Sequence, residues 1–224
     1  MRQFGMFAKY WEPGRVKTRL AASLGDVAAS EVYYAFLECL VERFASVGDR
    51  RVLVYAPADC EHHFAQLAGD QFQLQPQSPG DLGARMQSYF EQAQRAGMQR
   101  VVVVGSDSPS LPASYVEQAF ERLQEFPCVL GPSRDGGYYL LGLAGQLPPI
   151  FADLPWSTDR VLELTRARLR AADCTWCELP EWYDVDAADD LAALRGELVD
   201  CNNEPSLASL ADRLTQLLGP CPTR

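Results

Sequence analysis

Long apolar runs are absent from this chain of 224 residues. No stretch is long enough to cross a bilayer as a helix. The N-terminus, MRQFGMFAKY, lacks the apolar core and small-residue cleavage site of a signal peptide. The expected compartment is the cytoplasm, with no membrane span. A basic surface is missing too: 20 Lys+Arg stand against 30 Asp+Glu, a net charge of −10. That excludes a general nucleic-acid binder, whose footprint is a positive face. It leaves room for a small anion gripped by a local cluster of cations. The two histidines, His62 and His63, are adjacent, so no Ser-His-Asp or Cys-His arrangement can be assembled. The seven cysteines are odd in number and scattered, which fits reduced thiols rather than a disulfide framework. Cys174 and Cys177 form a CxxC with no second CxxC or paired His. A metal or redox role is the weaker reading there, beside two ordinary thiols near a strand. Internal repeats, low-complexity segments and long linkers are also lacking.

What is present is an ordinary globular composition, 47% hydrophobic and 22% charged, in which strand-like and helix-like runs alternate. Strands are expected at 3–8, 51–57, 100–109 and 175–180, with a strand pair over 128–143 joined by a Gly-rich turn. Helices are expected at 30–45 (led by Asp26 as N-cap), 59–68, 81–97, 112–125, 157–172 (capped by Ser157 or Thr158), 188–198 and 206–218. The four valines of RVVVVGSDSP (100–109) suit the middle of a sheet buried on both faces. The alternation predicts one α/β domain, a mostly parallel sheet covered on both sides. The core domain is read as residues 1–199, with a C-terminal helix and loose tail over 200–224. Ligands in such sheets collect at the carboxyl ends of strands.

The motifs sit at those ends. FAKYWEPGRVKTRLA (7–21) is a strand, a Pro-Gly loop and a helix start carrying Lys9, Arg15, Lys17 and Arg19. Gly14 allows close backbone approach, helix-start amides and cations favour anions, and the pattern reads as a phosphate grip. It is neither a P-loop nor a dinucleotide fingerprint, since GxxxxGK[ST] and GxGxxG are both absent. Asp107 follows the valine strand. Beside polyphosphate a carboxylate repels unless a cation intervenes, so Asp107 reads either as a Mg²⁺ or Mn²⁺ ligand or as a cap for the next helix. In EWYDVDAADDL, Asp184 and Asp186 alternate and share a side of an extended chain. Asp189 and Asp190 read as first-turn acids of a helix. Asp107 with Asp186 would supply the one or two carboxylates a divalent ion needs. SPGDLGARM places Gly80 and Gly83 around Asp81, with Arg85 entering a helix. GPSRDGGYYLLGL places Asp135 before Gly136, Gly137, Tyr138 and Tyr139, one of the two tyrosines being expected in the core.

Together FAKYWEPGRVKTRLA, GDLGARM, GSDSPSLP, GPSRDGGYYLLGL, LPWSTDRVLELT and DVDAADDL, over about residues 3–195, resemble an uncharacterised bacterial family usually labelled glycosyltransferase. That family lies within the nucleotide-diphospho-sugar transferase superfamily (the GT-A fold) and is similar to the guanylyltransferases of cofactor biosynthesis. Its pattern usually has Pro where this chain has Trp11. The resemblance implies a Rossmann-like three-layer α/β/α domain with a mostly parallel mixed sheet. It implies phosphate contacts from Lys17 and Arg19, base or ribose near Gly80, Asp81, Gly83 and Arg85, metal at Asp107 and Asp186, and an acceptor side at Gly136, Gly137 and Tyr138. Lys17 and Asp135 are the candidate catalytic groups, Asp135 as a base. Many sugar-transferring members carry Asp-x-Asp at the central metal site; here it reads Ser106-Asp107-Ser108. The leading expectation is a metal-dependent glycosyltransferase acting on a nucleotide sugar and a small-molecule acceptor. The alternatives are a nucleotidyltransferase that joins a nucleoside triphosphate to a phosphorylated substrate, and a non-catalytic nucleotide-binding domain.

Overall fold

The structure, a computed structural model, describes residues 1–199, 201 and 204–221. Its strands are β1 (Arg2–Lys9), β2 (Arg50–Ala56), β3 (Gln73–Pro76), β4 (Arg100–Val104), β5 (Cys128–Pro132), β6 (Tyr138–Ala144) and β7 (Trp176–Glu178). Its helices are α1 (Thr18–Leu24), α2 (Asp26–Arg43), α3 (Glu61–Ala68), α4 (Leu82–Arg95), α5 (Ala113–Arg122), α6 (Val161–Ala171), α7 (Ala188–Leu198) and α8 (Pro205–Leu218). The sheet runs β3-β2-β1-β4-β6-β5-β7. All pairings are parallel except those of β6, which is antiparallel to both β4 and β5.

Side-chain alternation along each central strand feeds two cores. Phe4, Met6 and Ala8 of β1, with Val102 and Val104 of β4, face one layer that includes Phe36 and Leu40 of α2, Val116 of α5 and Leu194 of α7. Val101 and Val103 face the other, against Met86 and Phe90 of α4 and Leu169 of α6. The valine run is apolar throughout because both of its faces are covered. α8 joins the first core through Leu207, Leu210 and Leu214 and lies on α2. Of the tail expected to be loose, residues 222–224 lie outside the described residues.

Several boundaries differ from expectation. The N-cap of α2 is Gly25, at φ 82°, and Asp26 is the first helical residue. α6 starts at Val161; neither Ser157 nor Thr158 caps it, because Ser157 sits at φ 64° in the preceding loop and the Thr158 hydroxyl donates to Pro155 O. The long central strand stops at Val104. The edge strand β3 was not anticipated; the helix start expected after the Pro-Gly loop is α1. No helix among the described residues is long and apolar enough to cross a membrane.

Gly5 in β1 has an ordinary φ but no room. A Cβ there would stand 2.2 Å from Tyr89 Oη and 2.5 Å from its Cζ. Tyr89 is fully buried, and its hydroxyl accepts from Gln3 Nε2. Gly5→Ala is expected to cost about 1–3 kcal/mol through overpacking, measured by urea unfolding; a loss below about 0.5 kcal/mol, the range of a surface change, would contradict this packing.

Candidate functional site

Strand order reverses between β1 and β4. The loop that follows β1 and the exit of β4 therefore diverge and leave a crevice at the carboxyl edge. A cleft of about 700 Å³ opens there. Lys9, Arg15, Lys17 and Arg19 line it from the β1 side, Gln77, Leu82 and Arg85 from the β3–α4 side, and Gly105, Ser106 and Asp107 from β4. Tyr33, Tyr138, Tyr139, Ser157, Asp184 and Asp186 also line it.

The floor is organised by one ammonium. Lys17 Nζ lies 2.5 Å from Asp107 Oδ1 and 3.0 Å from Asp186 Oδ1, and donates to Val185 O at 2.7 Å. The Lys17 side chain is 2% exposed, whereas Asp107 and Asp186 are 47% and 41% exposed. Burial pulls the Lys17 pKa down, and the two carboxylates more than offset it, so the net shift is upward and the ammonium stays charged. Lys17 reaches this position from a left-handed backbone, φ 47° and ψ 44°. That conformation costs a non-glycine residue roughly 1–2 kcal/mol and is offset here by three charge-assisted contacts. Its Nζ also lies 5.8 Å from the ring centroids of both Tyr33 and Phe36.

Two further ties hold the strand ends in register. The Tyr33 hydroxyl of α2 accepts from the Lys9 amide and pairs with Ser106 Oγ at 2.7 Å, bridging the ends of β1 and β4. Burial, with help from Asp107, pushes its phenol up to about 12. Asp184 accepts from Ser108 Oγ at 2.5 Å and Ser133 Oγ at 3.0 Å, so it joins the exits of β4 and β5. The Val185 amide donates to Asp107 O. On the opposite wall, Gln77 donates both amide hydrogens, to Ala8 O and Val54 O. Its Oε1 is thereby turned to accept from Arg85 Nη1.

The motifs thus divide into cleft and scaffold. Lys9, Arg15, Lys17, Arg19, Arg85, Asp107, Asp186 and Tyr138 line the cleft; Gly14, Gly80, Asp81, Gly83, Asp135, Gly136 and Gly137 are not among its lining residues. Gly14 makes a turn at φ 78°, closed by Arg15 N donating to Glu12 O. Asp81 caps α4 by accepting from the Ala84 amide. Asp135 accepts from the Gly137 amide within its own turn and stands outside the cleft lining, away from the place expected of a base. The space beside Gly83 is taken by protein: a Cβ there would meet Phe151 O at 2.3 Å and Trp156 Nε1 at 2.5 Å. At Gly136 it would meet Asp159 O at 2.1 Å. Both glycines seat the 150–160 segment rather than expose backbone. Tyr139 is core, 3% exposed, with its hydroxyl donating to Pro180 O. Asp190 caps α7 through the Asp186 and Ala187 amides. Trp11 packs against Tyr10, Tyr34 and Phe64.

Gln77, Tyr33 and the buttressing role of Asp184 escaped sequence reading. The signal available for Gln77 was only a polar residue at the end of a short strand. Asp107 and Asp186 could hold a cation between them. Among the described residues no group of three or more His, Cys, Asp or Glu is arranged to ligate a metal, and Cys174 and Cys177 are free thiols.

A parallel-dominated sheet with cations and carboxylates converging at its switch point defines an α/β nucleotidyl- or sugar-transferase-like fold. The chain belongs to the family described as uncharacterized proteins conserved in bacteria (DUF2064), whose model matches residues 40–158. It is 29% identical over 181 residues to a 3-phospho-D-glycerate guanylyltransferase of Phenylobacterium zucineum (strain HLK1), covering 78% of this chain and 81% of that protein. A crystal structure from Desulfovibrio desulfuricans G20, provisionally named a nucleotide-diphospho-sugar transferase, superposes with a TM-score of 0.88 at 32% identity, covering 96% of each chain. A cytidylyltransferase from Leptospira borgpetersenii shares the fold, with a TM-score of 0.58 at 13% identity, covering 96% of this chain and 94% of that one. The chain is a transferase.

Burial raises the Asp184 carboxyl to about 6. The Ser108 hydrogen bond pulls against this, and the charges of Asp107 and Asp135 push further. Between about pH 4 and 6 the folded protein therefore holds a proton that the unfolded chain has already released. Asp184's contribution to stability is present in full below about pH 4 and is lost as pH rises through about 6. The difference is roughly 3 kcal/mol. In EDTA, wild type should gain stability relative to Asp184→Asn as pH falls from 7.5 to 4.5, read by urea unfolding at each pH. Parallel pH profiles would refute the shift.

Proposed function

We propose that this protein is a nucleotidyltransferase. It transfers the nucleotidyl group of a nucleoside triphosphate, GTP by likeness to the Phenylobacterium relative, to the phosphate of a small phosphorylated acid, with release of pyrophosphate. One observation carries the reading. Cations reach the cleft on both flanks of a carboxylate floor, and every carboxylate lining it is already engaged: Asp107 and Asp186 by Lys17, Asp184 by two serines. No carboxylate lining the cleft stands free of protein partners as a ready general base. An acceptor hydroxyl needs one, whereas an acceptor phosphate is already an anion and needs positioning and charge neutralisation.

The chemistry follows from that difference. An acceptor phosphate oxygen forms a bond to the α-phosphorus. The bond from that phosphorus to the bridging oxygen breaks, and its electron pair leaves on pyrophosphate. Arg15 in the β1–α1 loop and Arg19 in the first turn of α1 are both exposed and supply planar, permanently charged donors for the phosphate tail. Arg85 is held by Gly80 O and Gln77 Oε1 and presents its remaining edge to the nucleoside end. Asp107 and Asp186 suit an oxygen-seeking ion such as Mg²⁺ or Mn²⁺, which takes one or two carboxylates and fills its shell with water and phosphate; Asp184 does not, with both oxygens committed. Such an ion, when bound, neutralises the triphosphate and the departing pyrophosphate. Sugar transfer from a nucleotide sugar is the second reading, favoured by the provisional name of the Desulfovibrio structure.

Incubation with GTP and a panel of phosphorylated hydroxy acids should release pyrophosphate. Release of nucleoside diphosphate from nucleotide sugars, with no pyrophosphate from any triphosphate, would instead establish sugar transfer. Arg19→Ala should weaken nucleotide binding by about 1.5–3 kcal/mol, through loss of a charge-assisted bond. Unchanged affinity by calorimetry would remove Arg19 from the phosphate site.

A further inference from the structure

An ammonium has three N–H bonds, and each of those on Lys17 has its oxygen, from Asp107, Asp186 and Val185. None remains for a phosphate. The Asp107 and Asp186 carboxylates open onto the cleft while the ammonium lies beneath them. A divalent ion held by these two carboxylates would compete with the ammonium for them. While this pairing stands, Lys17 has no donor for a phosphate and neither Oδ1 is free for a metal.

We propose that Lys17 is a built-in counter-ion that a divalent cation displaces. The ammonium yields Asp107 and Asp186 to Mg²⁺ or Mn²⁺ and turns its three donors to the incoming phosphates. This rests on reading the cleft as a metal-assisted phosphate site. Three features support it. The two carboxylates repel each other unless a cation stands between them, and the exchange keeps one there throughout. Lysine is a compact charge on a flexible four-carbon stem, able to swing where arginine's planar fork cannot. Lys17 also holds its place from a left-handed backbone that only the surrounding contacts maintain. Metal and nucleotide binding are then coupled: the ion frees the donor that the nucleotide needs, and each tightens the other.

The composition makes the exchange measurable. Of the 20 Lys+Arg residues only two are lysines, Lys9 and Lys17. Lys9 is exposed and serves as the internal reference. The full chain is treated with an amine-acetylating reagent in EDTA or in Mg²⁺, without nucleotide, and acetylation at each lysine is quantified by mass spectrometry. In EDTA, Lys17 should react several-fold more slowly than Lys9. Mg²⁺ should raise Lys17 reactivity and leave Lys9 unchanged. In parallel, Mn²⁺ binding is followed by electron paramagnetic resonance. Lys17→Met should bind Mn²⁺ at least about tenfold more tightly than wild type, because a neighbouring positive charge is gone, and Asp107→Asn should lose it. If Mn²⁺ binds wild type and requires Asp107 while Lys17 stays protected in Mg²⁺, displacement is wrong and the metal site stands. If Mn²⁺ binds neither wild type nor Lys17→Met, displacement and the metal component of the functional reading fall together; the arginine contacts with nucleotide remain a separate question, answered by Arg19→Ala.

Discussion

The buried ammonium of Lys17 between Asp107 and Asp186 fixes the shape of the whole cleft floor. Each partner comes from a different part of the chain: the loop after β1, the exit of β4 and the segment before α7. Lys17 Nζ also takes Val185 O, and the Val185 amide takes Asp107 O, so backbone and side chains close into one network. Ion pairs of this kind contribute little net stability when intact, but losing one partner strands charge in a poorly solvated place. The arrangement therefore acts more as a specifier of geometry than as a source of stability. Tyr33 and Asp184 extend it outward, one pinning β1 to β4 and the other β4 to β5.

Around this floor the glycine-rich motifs do quieter work. Gly83 and Gly136 sit under the 150–160 segment, where any side chain would collide with backbone or with Trp156. That segment contributes Ser157 to the cleft. The wall it forms depends on two residues that present nothing themselves.

The sheet was legible because its signals are periodic. Four consecutive valines, buried on alternate faces, announce a central strand, and the Gly-rich turn between 128 and 143 announces a hairpin. β3 was missed because it is a four-residue edge strand, half of it glutamine, with no buried face to impose a pattern. The start of α1 was legible from the Pro-Gly loop before it, but not that its N-cap, Lys17, holds a conformation that lysine rarely adopts. At the site, the residue types of the cationic loop and the strand-end acids showed which groups would meet. What they would do on meeting was hidden. Sequence spacing cannot tell that Lys17 faces inward while Arg15 and Arg19 face out, nor that Asp184, two residues from Asp186, is taken by serines. Asp81 and Asp135 share the same ambiguity: a carboxylate beside glycines is a ligand or a turn-former according to where its oxygens point, and both point at backbone amides.

α8 carries none of the six motifs, yet it bears on them mechanically. It lies along α2, with Arg43 of α2 paired to Glu204 at its start and Leu207, Leu210 and Leu214 pressed into the shared core. α2 is the helix that presents Tyr33 to the ends of β1 and β4. The terminal helix therefore braces, from the far side of the layer, the beam from which the cleft's cross-tie hangs. A shortened chain that keeps every motif would lose the clamp behind Tyr33, and the rim of the cleft would slacken although no residue touching it had been removed.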